Sequence, residues 1–115
     1  MKHPIIVKIK ENFSKIDPQF EKIPIVDGDS SFTENKETIT LCLVNPQTKQ
    51  YYDMNTLMYV ALHELAHVVT NNTTEDDSHG PAFQANFDKL LKKAQSLGFY
   101  NPKIPIPSTY CNVSM

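Results

Sequence analysis

Five residues constrain this chain more than any others. They are His63-Glu64-Leu65-Ala66-His67, set in a run from Leu57 to Val69 that is otherwise apolar apart from Tyr59. At about 100° per residue, Leu57, Met58, Ala61, Leu62, Leu65, Ala66, Val68 and Val69 fall on one broad helical arc. Thr56, Tyr59, His63, Glu64, His67 and Thr70 fall on the other, with Val60 among them. The pattern predicts a long helix that starts near Asp53 or Asn55, either of which can cap it, and runs to about Thr70. Its apolar arc should face a core and its histidines should point away from that core. The charged and polar interruptions exclude a membrane span.

The spacing has a chemical meaning. Residues four apart share one face of a helix, so both imidazoles can bind a single ion. Glu64 stands beside them, where a carboxylate can take a proton from water. A histidine that merely fills a core would lie in the apolar arc, and neither does. The bland alternative is a pair of ordinary surface histidines.

Two imidazoles do not complete a catalytic zinc site, which usually has three protein ligands. His79 is the best third candidate. It ends a polar loop over 71–78 and immediately precedes Gly80-Pro81, where a new helix should open with proline in its first turn. Its plainer reading is a cap for that helix. Glu75, Asp76 and Asp77 are rival ligands, although three acids in a row also make a solvated loop. The expectation is therefore one Zn2+ on His63, His67 and His79, with Glu64 as general base. Tyr59 and Tyr110 are candidate donors to an oxyanion, each with ordinary packing as the alternative. Cys111 is a soft potential ligand for which an inert thiol is the simpler reading, and His3 has no assigned role.

The rest of the chain supplies a frame. Ile5, Ile6, Ile9, Phe13 and Ile16 recur at helical spacing and Pro18 closes that helix. From Phe20 to Thr33 the sequence reads as loop, with a short extended piece at Ile23 to Val26. Thr38 to Val44 is β-branched and apolar and predicts a buried strand, ended by Asn45-Pro46. Gln47 to Tyr52 is either a short return strand or a loop. Phe83, Phe87, Leu90, Leu91, Ala94 and Leu97 form the apolar face of the second long helix, which Gly98 should stop. The tail from Asn101, with Pro102, Pro105 and Pro107, should lie extended across the surface. With 115 residues, the expectation is a single domain over residues 1–115 of the α+β class, a small sheet packed against the motif helix and the helix after it.

Composition narrows the partners. Hydrophobic residues make up 40% and charged residues 21%, a soluble globular balance. Net charge is -2, and all 11 basic residues are lysine. A chain without arginine lacks the bidentate fork that grips phosphates, so at most weak DNA association is expected. No signal-like apolar run opens the sequence, so an intracellular setting, cytoplasm or nucleus, with Cys42 and Cys111 as free thiols is expected.

The run His63-Glu64-Leu65-Ala66-His67, followed by His79-Gly80-Pro81-Ala82-Phe83, resembles the SprT/Spartan and WLM metallopeptidases. The resemblance covers roughly Thr38 to Leu97 and includes a strand shortly before the motif helix. It implies a minimal zincin-like domain, zinc on three histidines, a glutamate base, and hydrolysis of proteins crosslinked or bound to DNA. It also implies that Thr38 to Val44 is an edge strand on which an extended substrate can pair. The chain departs from the pattern in lacking arginine and any recognisable DNA-binding module. Compact members of this type also resemble proteins of large DNA viruses. Two readings from other classes stand beside the peptidase: a non-catalytic binding module that holds zinc, and a metal-dependent hydrolase of non-peptide substrates.

Overall fold

The structure is a computed structural model that describes residues 4–28, 32–34, 38–70, 80–106, 109–110 and 113–114. The first helix, α1 (Pro4–Ile16), buries Ile6, Ile9 and Phe13 at helical spacing, as the pattern predicts. Asp17 ends it and accepts from the Gln19 amide, opening a single 3-10 turn over Pro18–Lys22. Three short strands follow: β1 (Ile25–Asp27), β2 (Phe32–Glu34) and β3 (Thr38–Leu41). The sheet order is β1-β3-β2, with β1 parallel and β2 antiparallel to β3.

Two expectations need correction here. The strand predicted over Thr38 to Val44 stops at Leu41, and Val44 makes only an isolated bridge to Tyr51. A turn over residues 45–50 accounts for this. Asn45 caps it through its side chain on the Gln47 amide, and Lys49 takes a positive φ of 62° to close it. More importantly, β3 is the central strand. Its two sides are occupied by β1 and β2, so it is not an edge on which a substrate can pair. The extended piece near Ile25 was legible, but β2 lies in a stretch whose glycine and serines read as loop.

The motif helix is α2 (Met54–Val69). Asp53 is its N-cap: its carboxylate accepts from the Thr56 amide at 3.0 Å and from the Thr56 hydroxyl at 2.7 Å. Next comes α3 (Pro81–Ser96), with Gly80 as N-cap and proline in its first turn. Gly98 stops it at φ 83°, a left-handed conformation that favours glycine. The Phe99 amide then bonds the Ala94 carbonyl at 2.8 Å and the Gly98 amide bonds the Gln95 carbonyl at 3.1 Å, a Schellman closure.

The tail does not simply lie extended on the surface. It turns at Pro102–Ile104 and returns through β4 (Thr109–Tyr110) and β5 (Val113–Ser114), a small antiparallel pair. Tyr110 is buried, donates its hydroxyl to the Cys42 carbonyl and packs on the Tyr52 ring with centroids 4.7 Å apart. Cys42 is disulfide-bonded, against the expectation of free thiols. The docking of Tyr110 onto Cys42 runs the tail back along the end of β3. The one other cysteine of the sequence, Cys111, lies outside the described residues.

The architecture is α+β. α2 packs on β2 and β3 with one side and on α3 with the other, while α1 packs on β1 and α3. No described helix is long and apolar enough to cross a membrane.

The cap carries a measurable share of this arrangement. Asp53→Ala removes both bonds to Thr56, whose side chain is fully buried. The loss should be about 1 kcal/mol, lowering the melting temperature by roughly 5 °C, with Asp53→Asn recovering most of it. Thermal unfolding followed by circular dichroism checks this.

Candidate metal centre

The structure sets His63 and His67 one turn apart on α2, with ring centroids 5.1 Å apart and planes at 75°. The residue types and spacing thus bring two imidazoles to one spot, as a shared ion requires. Glu64 is next to them in sequence and is buried, at 7% exposure. A carboxylate is rarely left that far from water without a functional or structural partner.

The arc that carries these groups does not face open solvent. α3 covers much of it. Phe83 is 1% exposed and its ring centroid lies 4.4 Å from that of His67 and 5.1 Å from that of His63. Phe87 stands edge-on to His63 at 5.3 Å. The histidines are half-buried between two helices. The sequence pattern set them apart from the apolar arc of α2 but expected them to point away from the core, and the rings they touch, Phe83 and Phe87, belong to the core. Phe83 and Phe87 were readable as an apolar face. Their contact with the imidazoles was not, because periodicity gives a face and not the neighbour it meets.

Tyr59, one turn before His63, continues the stripe. Its ring lies 5.3 Å from Phe87 and 5.9 Å from Tyr100. It remains half-buried, so it stays a candidate hydrogen-bond donor near the pair. Tyr110 does not: its proton is committed to the Cys42 carbonyl. At the other end of α2, Thr70 accepts from Asn86 of α3 at 2.9 Å, pinning the two helices beside the site.

His79, Glu75, Asp76 and Asp77 all lie outside the described residues, as do His3 and Cys111. Among the described residues there is no group of three or more His, Cys, Asp or Glu side chains that could hold a metal ion. The described part of the site is therefore the pair plus Glu64. Of the lysines on α3, Lys92 is paired with Asp88 at 2.9 Å, and Lys89, Lys92 and Lys93 are all exposed, as on an ordinary solvated face.

Proteins of large DNA viruses resemble this chain. An uncharacterized protein of Invertebrate iridescent virus 3 is 40% identical over 94 residues, covering 82% of this chain and 57% of the relative. One of Invertebrate iridescent virus 6 is 39% identical, covering 78% of this chain and 49% of its own length. One of Acanthamoeba polyphaga mimivirus is 35% identical, covering 96% of this chain and 54% of its own length. The chain thus spans about half the length of these relatives. No family model and no solved structure matches it.

The aromatic stripe gives a pH signature. Burial, and secondly the nearby Tyr59, raise the Tyr100 phenol above its ordinary value of 10.0. The folded state then favours the neutral phenol. Its contribution to stability is present below about pH 10 and is lost as pH rises through the raised value. Ionisation followed at the Tyr100 ring by NMR during an alkaline titration should lie above pH 10.0. Tyr59→Phe should bring it part of the way back, because it removes the second cause and leaves the first.

Proposed function

We propose that the chain is a zinc-dependent metallopeptidase of the H-E-x-x-H type, acting on protein substrates. The observation that carries this reading is the pair of touching imidazoles on α2 with the buried Glu64 beside them. A structural zinc site has no need of a base, and Glu64 supplies one.

The entry into α3 supports His79 as the third ligand. Phe83 rests on both imidazoles, so the first turn of α3 lies beside the pair. His79 is four residues earlier in the sequence and directly precedes the Gly80 cap. When bound, zinc would lower the pKa of a water and polarise a carbonyl oxygen. Glu64 takes the proton from the attacking water and passes it to the leaving amine. Phe83 and Phe87 fix the ring orientations of His63 and His67 and keep bulk water from their flanks. Tyr59 is the remaining candidate to donate to the oxygen on which charge develops. An extended substrate would add to an outer strand, and β2, which packs on α2, is the one adjacent to the motif helix.

The rival is a zinc-holding module without catalysis. It is favoured by the same aromatic packing, which would serve a purely structural ion equally well. Two measurements separate the readings. Protein purified without added metal should carry about one zinc per chain, and the His63→Ala/His67→Ala double variant should carry none. Glu64→Gln should keep the zinc and the fold but lose hydrolysis of a flexible protein substrate, since an amide cannot take the proton. Full zinc in the double variant ends the site; undiminished cleavage by Glu64→Gln ends the mechanism.

DNA-bound or DNA-crosslinked proteins are a substrate class that the family resemblance suggests. With a net charge of -2 and no arginine, the chain should hold DNA weakly and lose that hold as salt rises. Cleavage at physiological salt should therefore gain at most modestly from single-stranded DNA. A salt series with and without DNA, with Glu64→Gln as blank, checks this. Tight, salt-resistant binding with strict DNA dependence would show the charge argument to be wrong.

A further inference from the structure

Three aromatic side chains lead away from the candidate pair. The ring centroid of Phe87 lies 5.3 Å from that of His63 and 5.3 Å from that of Tyr59. Tyr59 in turn lies 5.9 Å from Tyr100, with the two planes tilted by 36°. Phe87 is buried, whereas Tyr59 and Tyr100 are both half-buried. The line thus starts in the core and ends on two rings that water still reaches. Among the described residues, neither phenol hydroxyl has a hydrogen-bond partner.

Position relates these rings to the pair. Tyr59 precedes His63 by four residues, about 6 Å along the α2 axis. An extended chain advances about 3.4 Å per residue. A peptide whose scissile carbonyl sits at the pair therefore brings a side chain one or two residues away to Tyr59. Charge narrows that side chain. Glu64 is the sole Asp, Glu, Lys or Arg of α2, and the peptidase reading commits it to water. Burial first, and then Tyr59, raises the Tyr100 phenol, so these surroundings disfavour an ionised group. A charged side chain would give up hydration there and find no other partner on α2. Ring chemistry decides what remains. An aromatic side chain joining tilted rings gains more than its buried area alone supplies, and an aliphatic one does not.

We propose that Tyr100 and the ring of Tyr59 form the subsite for an uncharged aromatic side chain close to the scissile bond. The substrate class is then an extended peptide segment carrying phenylalanine or tyrosine at that position. The inference rests on the peptidase reading for its place in the reaction. It uses the Tyr59 ring and leaves the Tyr59 hydroxyl the role given above. Tyr100 is the specificity-determining residue: it follows α3 rather than belonging to α2, and its ring is the outermost of the line.

The test uses the full chain carrying Glu64→Gln, so that binding is read without turnover. It is titrated with short, end-blocked alanine peptides whose central residue is phenylalanine, lysine, glutamate or alanine, and followed by NMR of the tyrosine rings. The phenylalanine peptide should saturate, shift Tyr59 and Tyr100, and bind about tenfold more tightly than the alanine peptide. The lysine and glutamate peptides should bind no better than the alanine peptide. Tyr100→Ala should bring the phenylalanine peptide down to the affinity of the alanine peptide, while Tyr100→Phe, which keeps the ring, should retain the preference. Tyr100→Leu, which keeps most of the bulk without the ring, should also lose it, so the result does not hang on one variant folding. In the unmodified chain, kcat/KM should favour the phenylalanine peptide by the same factor. Equal affinity for phenylalanine and alanine peptides, a preference that survives Tyr100→Ala, an equal loss for both peptides in that variant, or Tyr59 and Tyr100 rings left unmoved would each overturn the subsite, and the zinc and Glu64→Gln measurements would still stand for the peptidase. Aromatic-selective binding at Tyr100 with no cleavage by the unmodified chain would instead support the subsite and sink the peptidase reading.

Discussion

The fold depends on α2 being covered on two sides. Its apolar residues Leu57, Met58, Ala61, Leu62, Leu65 and Ala66 are all fully buried, and the helix packs on β2, β3 and α3. A helix enclosed in this way cannot slide or rotate without breaking contacts on both sides, because packed interiors tolerate little free volume. That rigidity is what makes the four-residue spacing useful. Two imidazoles on a surface helix would each sample several rotamers. Held between the α2 backbone and the rings of Phe83 and Phe87, they have fewer. The cost is that the polar arc must be satisfied inside the protein. Thr56 is met by Asp53 and Thr70 by Asn86, so both ends of the helix are tied by the same side chains that cap it or bind it to α3.

Much of this was legible in the sequence because the signals are local. Asp53 before the apolar run, Pro81 after a glycine, and Gly98 after the last apolar position of α3 are backbone requirements that one residue type meets best. The histidine pair was legible for the same reason, as spacing alone sets a helical face. What failed was non-local. Whether a strand is central or an edge depends on what pairs with it, and β2 is a three-residue strand that owes its existence to β3. Its sequence, Phe32-Thr33-Glu34, is too short to show a period. The tail failed likewise. Three prolines argue for an extended path, and nothing in them says that Tyr110 will find the carbonyl of Cys42, 68 residues away in sequence. Cys42 is likewise disulfide-bonded where a free thiol was expected.

The site was only half legible, for a physical reason. Ligands on a helix are fixed by the helix, whereas a third ligand contributed by a loop is fixed by the loop's closure, which sequence does not encode in any period. The helix start after that loop is the nearest fixed point. Phe83 against His67 shows that this fixed point lies beside the pair, which is why the proposed third ligand is sought just before Gly80. Among the candidates, His79 is closest in sequence to the cap, and Glu75, Asp76 and Asp77 stand further from it.

The viral relatives bear on which parts of this arrangement matter. They match most of this chain and about half of their own length. Within this chain α2 organises the candidate pair: one side is the core, and the other carries Asn55, Tyr59, His63 and His67 at four-residue spacing, with Phe83 and Phe87 of α3 against the histidines. Asn12 is the counterexample to economical packing, a buried acceptor with no hydrogen-bond partner among the described residues. Leucine at that position would remove the unmet acceptor, and Asn12 already sits among apolar neighbours such as Met58. A chain of this size has little stability to spare, and a polar group that costs stability tends to mark a site where binding matters more than packing. Asn12 on α1 and Glu64 on α2 are both polar side chains placed where burial is costly.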